Sequence, residues 1–196
     1  MKLLLASGSK TRAEILDKAK IPYEVVEHNI DEDEVKISYA HLTPEDIATK
    51  LAELKAIKPS YQHENSFVIG ADQVLELNDT IINKAKDINE AKRQLLELQG
   101  KNHKLITSIA IAKNGSIVWK HRDTSNISMR ELNEKQIDNY LNNIDKSILG
   151  CVGVYAIEQD GIKLLNKIDG DYFSILGLPL LPLTQFLWQN NILLNE

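Results

Sequence analysis

Several stretches of the chain put hydroxyls and charges where a phosphate could be held. Ser7-Gly8-Ser9-Lys10-Thr11-Arg12 lies between the apolar run Leu3–Ala6 and a helical pattern. Backbone N–H groups at a helix start, flanked by small residues, form a cradle for anions. Lys10 and Arg12 add positive charge there, so phosphate is the natural guest; a plain serine-capped loop is the alternative. A Walker loop is excluded, because Ser9 precedes Lys10 and the upstream glycine is missing. Gly70-Ala71-Asp72-Gln73 is expected to end a wholly apolar strand. Ligands bind at the carboxyl ends of strands in open α/β sheets. A carboxylate at such a place holds a divalent cation or activates a water, unless it only forms a turn.

Asp31-Glu32-Asp33-Glu34 is a concentrated acidic loop. Its oxygens suit Mg²⁺ or Mn²⁺; a solvated charge run is the alternative. Lys55, on a helix, and Lys84, after Ile81-Ile82-Asn83, are each placed to reach a phosphate or to lie on the surface. His103 reads as structural and Cys151 as a single buried thiol, and no His/Cys cluster has zinc spacing. Asp169-Gly170-Asp171-Tyr172-Phe173, before Gly177-Leu178-Pro179-Leu180, reads as a tight turn. Tyr172 or Phe173 there either stacks on a base or joins the core.

These residues need a scaffold, and the apolar pattern supplies one. Leu3–Ala6 predicts a buried strand, Thr11–Ala19 a helix, and Tyr23–Val26 a second strand. Asn29–Val35 is expected to be a loop. Thr43-Pro44-Glu45-Asp46 opens a helix running to about Ile57, before Pro59. Phe67-Val68-Ile69 predicts a strand, with Val74–Leu77 extended and Ile81-Ile82 returning after Asn78-Asp79. Asp87 caps a helix to about Leu98, closed by Gly100. His103–Ala112 and Ser116–Ser128 flank Asn114-Gly115, a hairpin turn. Asn133 caps a helix through Leu141; Ile162–Ile168 predicts a strand and Leu180–Leu187 a closing helix. Strands alternating with helices, plus a hairpin, specify an α/β fold with a mixed sheet.

The 196 residues suit one domain spanning 1–196, with 43% hydrophobic and 26% charged residues. The net charge of −5 disfavours generic nucleic-acid binding. The lone Cys151 rules out an intramolecular disulfide framework and fits a reducing compartment. Leu3–Ala6 is too short for a signal-peptide core, and no apolar run approaches about 18 residues. The expectation is a cytoplasmic protein without a membrane span.

In order and spacing, these segments resemble the Maf family of nucleoside triphosphate pyrophosphatases. The likeness runs from Leu3 to about Leu187. Leu5-Ala6-Ser7-Gly8-Ser9-Lys10-Thr11-Arg12 is similar to the family's opening loop, Leu-Ala-Ser-x-Ser-Pro-Arg-Arg. Asp31-Glu32, Lys55-Ala56, Gly70-Ala71-Asp72, Leu98–His103 and Gly170–Leu180 resemble later family segments. Asn83-Lys84-Ala85 keeps only the lysine of the family's Gly-Lys-Pro. The resemblance implies an elongated two-lobed mixed sheet with flanking helices and a central cleft. It also implies hydrolysis of a nucleoside triphosphate to monophosphate and pyrophosphate, and often a homodimer. Ser7, Ser9 and Arg12 would hold phosphate oxygens, while Lys55 and Lys84 neutralise the leaving pyrophosphate. Glu32 and Asp72 would hold Mg²⁺ or Mn²⁺, with Asp72 also the base or orienter for the attacking water. Gln73 and Glu158 look like the base readers of the 7-methyl-GTP group, whereas Gly170-Asp171-Tyr172-Phe173 looks like the dTTP and UTP group. Two rival readings are a nucleotide-binding regulator of septum formation without turnover and an inosine-triphosphate-type pyrophosphatase. The second expects Asn where Ser9 stands.

Overall fold

The computed structural model describes residues 2–193. Its elements run β1 (Leu3–Leu5), α1 (Lys10–Lys18), β2 (Glu24–Val25), α2 (Glu32–Ser38), α3 (Pro44–Ser60), β3 (Phe67–Leu77) and β4 (Thr80–Ile82). They continue with α4 (Ile88–Leu98), β5 (Asn102–Lys113), β6 (Ser116–Met129), α5 (Glu134–Asn143), β7 (Leu165–Asp169), α6 (Tyr172–Ile175) and α7 (Leu180–Gln189). The strands form one mixed seven-stranded sheet in the order β2-β1-β3-β5-β6-β7, with β4 paired to β3. β1 runs parallel to β2 and β3, whereas β4 and β7 run antiparallel to β3 and β6. The expected α/β class with a mixed sheet and flanking helices is therefore what the chain adopts. No described helix is long and apolar enough to cross a membrane.

The chain forms two compact units. The first comprises Met1–Gln73, Thr107–Asp123 and Asp171–Glu196; the second comprises Val74–Ile106 and Thr124–Gly170. The first is built around Leu3, Leu5, Leu16, Ile69, Ile109 and Leu183, all buried in one apolar cluster. Each such side chain contributes about 1.5–3 kcal/mol by leaving water. A second cluster consists of alanines alone: Ala52 and Ala56 of α3 against Ala110 and Ala112 of β5. Small residues are needed because α3 lies directly on β3. A Cβ on Gly70 would sit 2.2 Å from the Ala52 carbonyl oxygen and 2.5 Å from the Ala56 nitrogen. Only hydrogen fits, and this close seat brings Lys55, next to Ala56, alongside the strand that carries Asp72.

In the second unit, α4 buries Ala91, Leu95 and Leu98 and packs on α5 and on the turn at Val152–Val154. Between β5 and β6, Asn114 (φ 51°) and Gly115 (φ 78°) are both left-handed, as a two-residue hairpin turn requires.

Four expectations are corrected. Asn29–Val35 is not a loop throughout, because α2 starts inside it. The Asp31 carboxylate accepts the N–H groups of Asp33 and Glu34, both at 3.0 Å, and the acidic first turn suits the positive end of the helix. α3 passes Ile57 and ends at Ser60. Pro59 falls in the last turn, where its missing N–H costs only one helical bond. β3 does not end at Asp72 but runs eleven residues to Leu77, so the carboxylate is buried mid-strand. Ile162–Ile168 splits into a 3₁₀ turn at Asp160–Leu164 and the strand β7. The turn depends on Gly161, where a Cβ would meet the Ala156 backbone nitrogen at 2.4 Å.

Candidate active site

The loop after β1 is tied together by its own polar groups. Ser7 is buried, and its Oγ accepts from the Ser9 N–H at 3.2 Å and from Arg12 Nη1 at 3.1 Å. Ser9 is the N-cap of α1, its Oγ taking the Arg12 N–H at 3.4 Å. Arg12 Nε donates to the Gly177 carbonyl at 2.7 Å. Gly177 has φ +96°, a conformation that side chains rarely adopt, and this fixes the carbonyl that anchors the guanidinium. Two of the five guanidinium donors are thus spent on holding Arg12 at the loop, and others are left for an anion.

Beside this loop, three charges meet. Lys55 Nζ lies 2.6 Å from Glu32 Oε1 and 2.7 Å from Asp72 Oδ1. The lysine and aspartate side chains are 3% and 7% exposed, so solvent screens their pairing little. Glu32 is the one residue of the acidic run Asp31–Glu34 found at this cluster; Asp31, Asp33 and Glu34 are exposed around the start of α2. Burial lowers the Arg12 pKa, and the charges of Asp72 and Glu32 pull it back up, the net shift being downward. The same charges reach His28, a residue that the sequence alone does not single out. Burial is the largest force depressing its pKa, with Lys55 and Arg12 adding to it and Glu32 and Asp72 opposing. Its Nδ1 accepts the Ile30 N–H at 3.0 Å.

The donor set suits a hard divalent cation. The Glu32 and Asp72 oxygens converge on a single point, now held by the Lys55 ammonium. Among the described residues, no group of three or more His, Cys, Asp or Glu forms a full cage. One or two carboxylates completed by substrate phosphates and water is how Mg²⁺ is commonly held.

Gln73 follows Asp72 on β3. Its Nε2 lies 2.8 Å from Thr107 Oγ1 and 3.0 Å from the carbonyls of both Ser174 and Ile175. The amide nitrogen is therefore engaged in holding α6. Tyr172 and Phe173, at the start of α6, are 51% and 36% exposed, so the core alternative for this pair is not the one realised. They meet edge to face at 5.6 Å.

Lys84 and Glu158 belong to the second unit and are both exposed. Both act on Cys151: burial raises the thiol pKa, Glu158 adds to the rise, and Lys84 opposes it. His103 is buried as its structural reading expects, with Nε2 2.6 Å from Tyr155 Oη. Besides His28, sequence reasoning missed Thr107, Ser174 and Asp123. Their hydroxyls and carboxylate carry no local motif, and only the pairing of distant strands brings Thr107 and Asp123 to Ser174 in α6.

Comparison with known proteins points one way. The family model described as Maf-like protein matches residues 2–190. The chain is 43% identical to a nucleoside triphosphate pyrophosphatase of Granulibacter bethesdensis, over 98% of this chain and 99% of that one. It is 38% identical to a protein of the same name from Maricaulis maris, over 98% of both. It is 42% identical to a 7-methyl-GTP pyrophosphatase of Brucella abortus, over 93% of both.

Proposed function

The chain belongs to the Maf-like protein family, and from that premise we propose that it hydrolyses a nucleoside triphosphate to the monophosphate and pyrophosphate. The observation that carries this reading is the buried Lys55 bridging Glu32 and Asp72 beside an Arg12 held at a serine loop. Phosphoryl transfer needs positioning and charge neutralisation more than covalent help. Arg12 and the start of α1 bind phosphate oxygens. An ammonium has three N–H groups, and Lys55 uses two on carboxylates; the third serves a phosphate oxygen. Asp72 takes the proton of a water that attacks the α-phosphorus. The bond to the bridging oxygen then breaks, and pyrophosphate leaves with the charge that Lys55 offsets. Glu32 and Asp72 would hold Mg²⁺ or Mn²⁺, which when bound supplies polarisation of the phosphoryl oxygens. A regulator without turnover has no counterpart among these three relatives, all named for pyrophosphatase activity.

We also assign the base to the 7-methyl-GTP type. A relative 42% identical to this chain carries the name 7-methyl-GTP pyrophosphatase, which supports that reading. The test is pyrophosphate release from the canonical nucleoside triphosphates, dTTP, UTP and 7-methyl-GTP, with Mg²⁺ or Mn²⁺. Turnover that falls about 10²–10⁴-fold in Asp72→Asn is expected, the usual worth of a general base. A variant as fast as the parent would remove Asp72 from its role. Preference for dTTP or UTP would reassign the base.

A further inference from the structure

The turn that carries Tyr172 and Phe173 has little means of holding its own shape. α6 is four residues long, far below the length at which a helix is stable alone. Apart from a bond from Gln73 Nε2 to the Ile175 carbonyl, its side-chain ties to the strands converge on Ser174, which is 1% exposed. The Ser174 carbonyl accepts from Gln73 Nε2 of β3 at 3.0 Å and from Thr107 Oγ1 of β5 at 2.8 Å. Its N–H caps back onto Asp171 Oδ1 at 2.8 Å. Its hydroxyl lies 3.0 Å from the same Asp171 oxygen and 2.5 Å from Asp123 Oδ2 on β6. A hydroxyl has one proton to give, and the shorter contact takes it. Bonds of this length from a hydroxyl to a carboxylate are charge-assisted and about twice as strong as neutral ones. Asp123 is itself held from the other side, its Oδ1 being 2.9 Å from His121 Nε2. The His121 ring in turn stacks on Trp119.

We infer that Asp123 is a positioning residue for nucleotide binding, acting through Ser174 to fix the α6 turn. This rests on the pyrophosphatase reading and deepens it. Three strands each send one polar side chain to the turn, and Asp123 is the ionic one. The turn presents Tyr172 and Phe173 at its start and, two residues after its end, the Gly177 carbonyl that anchors Arg12. Loosening it blurs the placement of a stacked base and of a phosphate-binding guanidinium together. It leaves the bonds of Lys55 to Asp72 and Glu32, which do not run through Ser174, to do their chemistry. The effect therefore falls on substrate affinity and not on the chemical step.

The experiment is steady-state pyrophosphate release by the full chain with its best substrate, beside thermal melting. Asp123→Ala and Ser174→Ala are each expected to raise KM about tenfold, the worth of one charge-assisted bond, with kcat within about twofold. Asp123→Asn keeps an oxygen for the serine proton and restores KM to within about threefold of the parent. The double variant is no worse than the poorer single, since both remove one bond. Ser174→Ala removes a single oxygen and decides the matter if Asp123→Ala fails to fold. A parental KM in Ser174→Ala, a fall in kcat alone, or fully additive losses in the double variant would each overturn the inference. An inactive parent would instead overturn the pyrophosphatase reading.

Discussion

In the unit that holds Asp72, buried polarity is ionic: Lys55, Glu32 and Asp72 are bridged within 2.7 Å, with Arg12 beside them. In the unit that holds His103, the most enclosed polar pair is a histidine against a tyrosine, at 2.6 Å. Burial holds the His103 pKa down at about 4 and pushes the Tyr155 pKa up, so both stay neutral across the ordinary pH range. That unit's buried carboxylate, Glu76, is quenched locally. Burial pushes its pKa up, but bonds from Lys104 and from the Asp79 N–H outweigh this and leave it lowered. Neutral pairs and quenched charges are inexpensive ways to satisfy buried polar groups. A buried Lys55–Asp72 pair with Glu32 and Arg12 half-buried beside it is a costly one, because desolvating ions takes several kcal/mol each. Replacing such a cluster by apolar side chains is often stabilising, so packing alone does not account for it. The difference sets the Lys55 cluster apart as polarity that stability does not require.

The widest gap between the two kinds of site is expected in Lys55→Met. Removing the cation leaves Glu32 and Asp72 facing each other in a poorly hydrated place. The expected loss is about 3–5 kcal/mol of unfolding free energy, read by urea denaturation near neutral pH, together with loss of turnover. A variant of parental stability would mean that water reaches the carboxylates freely, and the contrast with the neutral pair would collapse.

Much of this cluster was legible before the fold was seen. Ser7, Ser9, Arg12, Lys55, Asp72 and Glu32 stand out by type and by their place between apolar runs, and the structure places all of them in one unit. Their mutual contacts were not legible. Lys55 and Asp72 are 17 positions apart, and their bond depends on how closely α3 seats on Gly70, a steric fact with no periodicity to betray it. The acidic run reads as a loop in the sequence because charge density masks the cap: Asp31 is an N-cap first, and only Glu32 turns inward. Asp72 reads as a strand end in the sequence because its charge interrupts an apolar run. Once Lys55 pairs it, the strand continues. Asp123 is not legible, since on the alternating strand β6 it shares the half-buried face with Ile117, Trp119 and His121 and carries no motif of its own.

The neutral pair is sharpened by acid. With a folded pKa of about 4 against about 6.5 for an ordinary histidine, His103 is neutral in both states well above pH 6.5. As pH falls from about 6.5 toward 4, the unfolded chain takes up a proton that the folded chain refuses, so stability is lost across that window. The loss approaches about 3 kcal/mol at its lower end. His103→Gln keeps a hydrogen-bonding group for Tyr155 and removes the titration. Its stability should fall less steeply by about one proton between pH 6.5 and 4, followed by urea denaturation at several pH values. An unchanged slope would mean that His103 is hydrated in the folded state.

The smallest effect is expected where an ion pair of the first unit is neither buried nor near the cluster. Lys120 Nζ lies 2.8 Å from Glu53 Oε1, within 0.2 Å of the bonds of Lys55, yet the lysine side chain is 58% exposed. Geometry alone would rank the two lysines together. Solvent separates them: a pair in water gains little Coulomb energy and gives up side-chain freedom. Lys120→Ala should therefore change stability by no more than about 0.5 kcal/mol and leave pyrophosphate release at the parental rate. A loss comparable to that of Lys55→Met would show that bond length, and not burial, sets the worth of these pairs. The argument that singles out the Asp72 cluster would then fail with it.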